Sequence, residues 1–208
     1  MQKLISFLEI LRRWQNDKND RLFREDIRDI QQIRDMAGMQ LLSDMLPDGV
    51  ASLLSVNALR EDLEVSHRAV TNWLNILEAF YYCFRIYPFV GKDYRSLKKG
   101  PKLYLMDWSE IRDEAKRFEN LMASHLLKLV HFLYDYEGYR ANLNFLRNVD
   151  KKEVDFLVTT DQKPWFAVEV LTPSSLLQRK TQHSILLPSG QKTGCGPARE
   201  RDSCCFCG

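Results

Sequence analysis

No stretch of the 208-residue chain approaches the about 18 consecutive apolar residues that a membrane-spanning helix needs. Met1-Gln2-Lys3 opens no segment of signal-peptide form, so no membrane partner and a cytoplasmic location are expected. Charge of one sign is scarcely in surplus. The 30 Lys and Arg face 28 Asp and Glu, a net charge of +2. That balance excludes a strongly basic nucleic-acid glove and an acidic disordered chain alike. No Gly-x-x-x-x-Gly-Lys-Ser/Thr is present, and Gly190-Gln191-Lys192-Thr193 lacks both the spacing and a preceding strand, so this chain has no P-loop ATP site. Cysteine is nearly missing from residues 1–171, which hold Cys83 alone.

The remaining cysteines mark a break. Cys195, Cys204, Cys205 and Cys207 fall in residues 172–208, together with three of the seven prolines, four of the nine glycines and one aromatic, Phe206. Five basic and two acidic residues stand there, against 25 and 26 in residues 1–171. The cysteine spacings form no paired C-x2-C knuckle for tetrahedral zinc, and no His lies among them. A composition shift of this kind marks a boundary near residue 171. The tail reads as disordered or as the product of a reading-frame shift, which the other two frames of the coding DNA would reveal.

The rest of the chain, with 45% hydrophobic residues overall, can build a core. Residues 1–50 read as a charged helical linker: Leu4, Phe7, Leu8 and Leu11 keep helical spacing. The block Arg24-Glu25-Asp26-Ile27-Arg28-Asp29-Ile30, continuing to Met36, sets opposite charges three to four apart. Pro47-Asp48-Gly49 ends it. Residues 51–107 read as two short helices and a basic hairpin. The first helix covers Ser55–Leu63. The second, capped by Ser66, places Val70, Leu74, Leu77 and Tyr81 on one face and His67, Arg68, Thr71, Asn72 and Asn75 on the other. Tyr81–Phe89 and Lys102–Asp107 read as strands, and residues 85–102 hold Arg85, Lys92, Arg95, Lys98, Lys99 and Lys102 against Asp93 alone. Helix, helix and basic hairpin make a winged-helix layout. His67, Arg68, Thr71 and Asn72 could reach base edges, and Arg95, Lys98 and Lys99 could neutralise phosphates, which makes DNA a candidate partner. The tight turn carries Glu64 where many such motifs use glycine.

Residues 108–171 read as a long helix, about 110–134, and a three-stranded meander. At 100° per residue, Glu119 shares the helix face of Ala115, Met122, Ala123, Leu126, Val130 and Leu133. A carboxylate there needs a partner, a metal ion or a raised pKa. The strands are Asn142–Arg147, Glu153–Val158 and Trp165–Val170, with alternating side chains. An odd loop of three residues in the last turn sets Asp155 opposite Glu169. Two such carboxylates repel unless a cation such as Mg²⁺ lies between them, where it could activate water on a phosphodiester.

Several blocks in order carry a resemblance. They are Leu59-Arg60-Glu61-Asp62-Leu63, Val70-Thr71-Asn72-Trp73-Leu74, Lys102-Leu103-Tyr104-Leu105-Met106-Asp107, Arg117-Phe118-Glu119-Asn120-Leu121 and Glu153-Val154-Asp155-Phe156. Over roughly residues 20–170 the chain resembles the domain of unknown function that follows an AAA-type ATPase module in many prokaryotic ATP-binding proteins. The resemblance implies an α+β protein, a winged-helix module followed by a restriction-endonuclease-like core of the PD-(D/E)XK type, here incomplete. It places catalytic roles on Glu119, Asp155 and Glu169, with Mg²⁺ on Asp155 and Glu169, and implies an ATPase module as partner. The lysine of that motif falls on position 171, which is Leu171. Without that cation transition-state stabilisation is lost. The expectation is therefore a non-catalytic part of an AAA-ATPase-type protein that recognises a target or scaffolds it. A metal-dependent nuclease and a degenerate fragment without activity are the alternatives.

Overall fold

The computed structural model describes residues 2–27, 35–90, 100–147 and 153–171. Among them, helices α1 (Gln2–Arg21), α2 (Met36–Met45), α3 (Val56–Asp62), α4 (His67–Ala79) and α5 (Glu114–Asp135) accompany strands β1 (Cys83–Pro88), β2 (Lys102–Leu105), β3 (Ala141–Arg147), β4 (Glu153–Thr160) and β5 (Lys163–Val168). Among the described residues the protein is α+β, with one five-stranded sheet in the order β2-β1-β3-β4-β5. No helix of the described residues is long and apolar enough to cross a membrane.

The start of the chain is helical as its periodicity dictates. α1 continues into a π-helical turn, Leu22–Ile27, that buries Phe23 and Ile27 on one side. Residues 28–34 lie outside the described residues, as do residues 172–208 with their four cysteines. α1 is tied down by polar contacts: Lys18 Nζ lies 2.5 Å from both Asp107 Oδ2 and Glu110 Oε1, and Gln15 Nε2 donates to Ser109 Oγ at 3.0 Å. On α2, a Cβ at Gly38 would stand 2.7 Å from the buried Trp73 ring of α4, so only glycine allows that approach.

α3 and α4 begin where their caps say they should. Ser55 Oγ accepts from the Ala58 N–H at 3.2 Å and Ser66 Oγ from the Ala69 N–H at 3.1 Å, each satisfying an otherwise unpaired helix donor. Between them Glu64 adopts φ 54°, the left-handed conformation that favours glycine. α4 buries Val70, Trp73, Leu74, Ile76 and Leu77, an apolar face that contributes a large share of the core. Tyr81 departs from its expected place at the end of that face. The helix stops at Ala79, Tyr81 turns out with φ 57° and is 72% exposed, and Tyr82 takes the buried position.

β1 and β2 pair antiparallel from Cys83↔Leu105 to Ile86↔Lys102. The hairpin is not a free wing, because β1 also pairs parallel with β3 through Tyr87↔Asn144 and Pro88↔Phe145. β3, β4 and β5 form the expected meander. Asp161 (φ 50°) and Gln162 (φ 63°) close a tight two-residue turn between the Thr160↔Lys163 pair, as strand twist prefers. An irregularity follows: Thr159 pairs with Pro164, but Val158 pairs with Phe166, so Trp165 is the extra residue of a bulge. The bulge supplies the odd count that was expected of the loop. Beyond Phe156↔Val168, one further step of this register brings Glu169 beside Asp155.

The core runs continuously from α2 and α4 across β1 and β2 to α5, β3 and β4. Asp113 caps α5 by accepting from the Lys116 N–H at 2.8 Å. The helix packs the expected side inward, burying Ala123, Leu126 and Val130, and Asn120 is buried with them.

Candidate functional site

Lys102, the first residue of β2, is only 4% exposed. A buried ammonium is unfavourable unless acceptors surround it. Here three carboxylates do. Lys102 Nζ lies 2.5 Å from Glu153 Oε1, 3.3 Å from Glu119 Oε1 and 3.9 Å from Asp155 Oδ1, with the Phe145 ring centroid 5.7 Å away. Each carboxylate has a second protein partner. Glu119 Oε1 accepts the Tyr104 hydroxyl at 2.9 Å, Asp155 Oδ2 accepts the Val170 N–H at 2.8 Å, and Glu153 Oε2 lies 3.4 Å from Arg147 Nη1. Helix α5 and two strands that are not adjacent in the sheet, β2 and β4, thus meet on one cation.

The electrostatics follow from the count of charges. Burial works against the Lys102 ammonium, but Glu119, Glu153 and Asp155 outweigh it and hold its pKa above the ordinary lysine value. Glu119 moves upward too: burial and the negative Asp155 beside it outweigh the help of Lys102 and Tyr104. Lys102 is raised because three carboxylates surround one ammonium, and Glu119 is raised chiefly because it is buried. Tyr104, buried and facing that negative charge, is held firmly as the neutral phenol, so it donates to Glu119.

Glu119 and Asp155, far apart in sequence, therefore share one cluster. Glu169 is adjacent to Asp155 in the register but exposed at the outer edge of the sheet, whereas Asp155 is mostly covered. Leu171 is exposed. The sequence reading missed Lys102, Tyr104 and Glu153 as members. Lys102 was counted as a cation of the hairpin, and the available signal was an alternation in β2 that puts Lys102 and Tyr104 on the same side as each other. Among the described residues, no group of three or more His, Cys, Asp or Glu is arranged as a metal-ion site.

The second candidate surface is the outer face of α4. His67, Arg68 and Asn72 are exposed as expected, and Thr71 is half-buried, its hydroxyl donating to the His67 carbonyl at 2.9 Å. Arg95, Lys98 and Lys99 lie outside the described residues. Two other hairpin cations serve the interior. Lys102 holds the carboxylates, and the Arg85 guanidinium pairs with Glu78 and donates to Asn75 Oδ1 at 2.8 Å.

A family model described as Domain of unknown function (DUF8612) matches residues 8–112, half of the chain. The chain belongs to this family. The DUF8612 match includes Lys102, Tyr104 and the α4 face, and it ends just before α5. Glu119, Glu153 and Asp155 come from beyond it, so the ion cluster joins the DUF8612 stretch to the part that follows. No curated protein and no solved structure matches the chain.

Proposed function

We propose that this chain is a non-catalytic recognition module of an AAA-ATPase-type protein, with duplex DNA as its target. In this reading residues 51–107 act as a winged helix and residues 108–171 as an endonuclease-like core that has lost its chemistry. One observation carries it: the ammonium of Lys102 lies where Glu119, Glu153 and Asp155 converge. The carboxylates serve that internal cation instead of Mg²⁺, and no lysine stands at position 171. What remains for function is the outer face of α4, where Arg68 and Asn72 are exposed and the buried opposite side keeps the helix in place. Asn pairs well with adenine edges and Arg with guanine edges or phosphate, so this face has the donors that groove recognition uses. The four cations Lys92, Arg95, Lys98 and Lys99 add phosphate-binding charge in sequence.

The test is a titration of labelled duplex DNA at rising salt. Affinity is expected to fall with salt, and Arg68→Glu and Lys98→Glu are each expected to weaken binding. Absent or salt-independent binding would overturn the reading. A second reading, a PD-(D/E)XK-type nuclease with Mg²⁺ on Asp155 and Glu169 and with Glu119 assisting, draws on the adjacent register positions of Asp155 and Glu169. It requires Mg²⁺- or Mn²⁺-dependent cleavage that Asp155→Ala abolishes.

A further inference from the structure

A groove of about 360 Å³ lies between α5 and the β1–β3 part of the sheet, away from the ion cluster. Tyr87, Asn142 and Asn144 come to it from the strands, His131 and Tyr134 from α5, and Arg85 from β1. Leu127 and Val130 contribute its apolar part. No described carboxylate lines it.

Exposed aromatic rings gather at this end of the molecule. Tyr87 is 50% exposed and Tyr134 61%. Phe132 and Tyr136, also exposed, stack with ring centroids 5.2 Å apart. Water-facing rings at this density are costly unless something covers them. The Arg85 guanidinium that lines the groove also donates to Asn75, which is exposed on α4.

We propose that this groove takes unpaired nucleotides of a nucleic-acid target, an inference that rests on the nucleic-acid reading above and locates a second contact. Flat rings stack on any base, and the exposed Asn142 amide offers a donor and an acceptor to base edges, while the Asn144 amide is held between the Tyr87 carbonyl and the Thr159 hydroxyl. The Arg85 guanidinium, already paired with Glu78, and the His131 ring are the polar groups that the groove offers to a backbone. A protein partner would meet shallow rings with polar tips and no deep apolar socket. A duplex, whose bases are already stacked, could not use the rings at all.

The experiment compares three fluorescein-labelled probes with the full chain: a single strand, a blunt duplex and the same duplex with a single-stranded overhang. The overhang probe is expected to bind more tightly than the blunt one. Tyr134→Ala should weaken the single strand and the overhang by roughly tenfold while leaving the blunt duplex unchanged. Tyr134→Phe, which keeps the ring, should retain most of the binding, and because residue 134 is exposed both variants should fold. Single-strand binding that Tyr134→Ala leaves intact overturns the inference. Blunt-duplex binding with no preference for the overhang overturns it and spares the reading of α4. Failure of all three probes removes both.

Discussion

The side-chain amide of Asn120 spans the backbone of Leu105, accepting its N–H at 2.8 Å and donating to its carbonyl at 2.7 Å. β2 is an edge strand of the sheet, and among the described residues no further strand pairs these groups. Ala51 does the same further along, donating to the Leu103 carbonyl at 3.0 Å. The edge is thereby closed by side chain and loop, which also fixes α5 against β2 and sets Glu119 over Lys102. Asn120 is fully buried, so Asn120→Ala leaves two backbone groups unpaired and is expected to cost about 3 kcal/mol in urea unfolding. Asn120→Asp should be worse at neutral pH, where a carboxylate faces a carbonyl, and should recover partly in acid. Equal stability of the two variants across pH would contradict this account of the edge.

Lys102→Ala leaves Glu119 and Asp155 without their cation, while Glu153 keeps Arg147. The expected loss is about 3 kcal/mol at neutral pH, because breaking a buried ionic cluster leaves uncompensated charge. Glu119 already has a raised pKa, through burial first and Asp155 second. A raised carboxyl favours the folded state below its unfolded value of 4.5 and loses that contribution as pH rises through the folded value. The penalty of Lys102→Ala should therefore shrink as pH falls and the carboxylates take up protons. Unfolding curves of the variant at neutral and acid pH measure it.

Glu64 keeps a left-handed backbone at φ 54° in the turn between α3 and α4. A side chain there costs about 1 kcal/mol relative to glycine. Glu64→Gly is expected to stabilise the chain by only several tenths of a kcal/mol, because the relief of the left-handed backbone is partly offset by the freedom that glycine gives the unfolded chain. It also removes a negative charge beside the proposed DNA-binding face, so duplex affinity should rise. Thermal unfolding and a binding titration check the two parts separately.

The Lys18–Asp107 pair gives α1 a pH window. Burial opposes ionisation of Asp107, but hydrogen bonds from Lys18 and Ser109 outweigh it and hold the carboxyl below its usual 3.8. Burial likewise opposes the Lys18 ammonium, and hydrogen bonds to Asp107 and Glu110 hold it above 10.5. The depressed carboxyl stabilises the fold above its unfolded pKa and stops doing so as pH falls through its folded value. The raised amine stabilises it below 10.5 and stops as pH rises through its own folded value. Lys18→Met should therefore lower stability by about 1 kcal/mol at neutral pH. The difference from the parent chain should close below pH 3.8 as Asp107 loses its charge.

Local features were legible in the sequence, and long-range ones were not. Ser55, Ser66 and the apolar periods of α4 and α5 depend only on neighbours along the chain, and they placed those helices correctly. The inward direction of Glu119 came from the same arithmetic. Asn120 went unread because a polar residue on an apolar stripe looks like an interruption until its partner strand is known. Lys102 was assigned to a basic hairpin because alternation along β2 does not say which side faces α5. Its separation from Glu119 is 17 residues, and Glu153 and Asp155 are farther still. The parallel β1–β3 pairing, which makes one sheet of two expected pieces, joins residues 57 apart and leaves no local mark. Parity at Asp155 and Glu169 was read correctly, although a bulge at Trp165 and not a longer loop provides it.

The central claim is recognition without cleavage, with Lys102 serving as the cation of the carboxylate cluster. The most direct measurement follows the fluorescence anisotropy of labelled DNA over time after the chain and Mg²⁺ or Mn²⁺ are added. The account expects anisotropy to rise on binding and then to hold, unchanged in Asp155→Asn. A steady fall below the bound value, with shortened DNA and loss of the effect in Asp155→Asn, would contradict it, as would no rise at all.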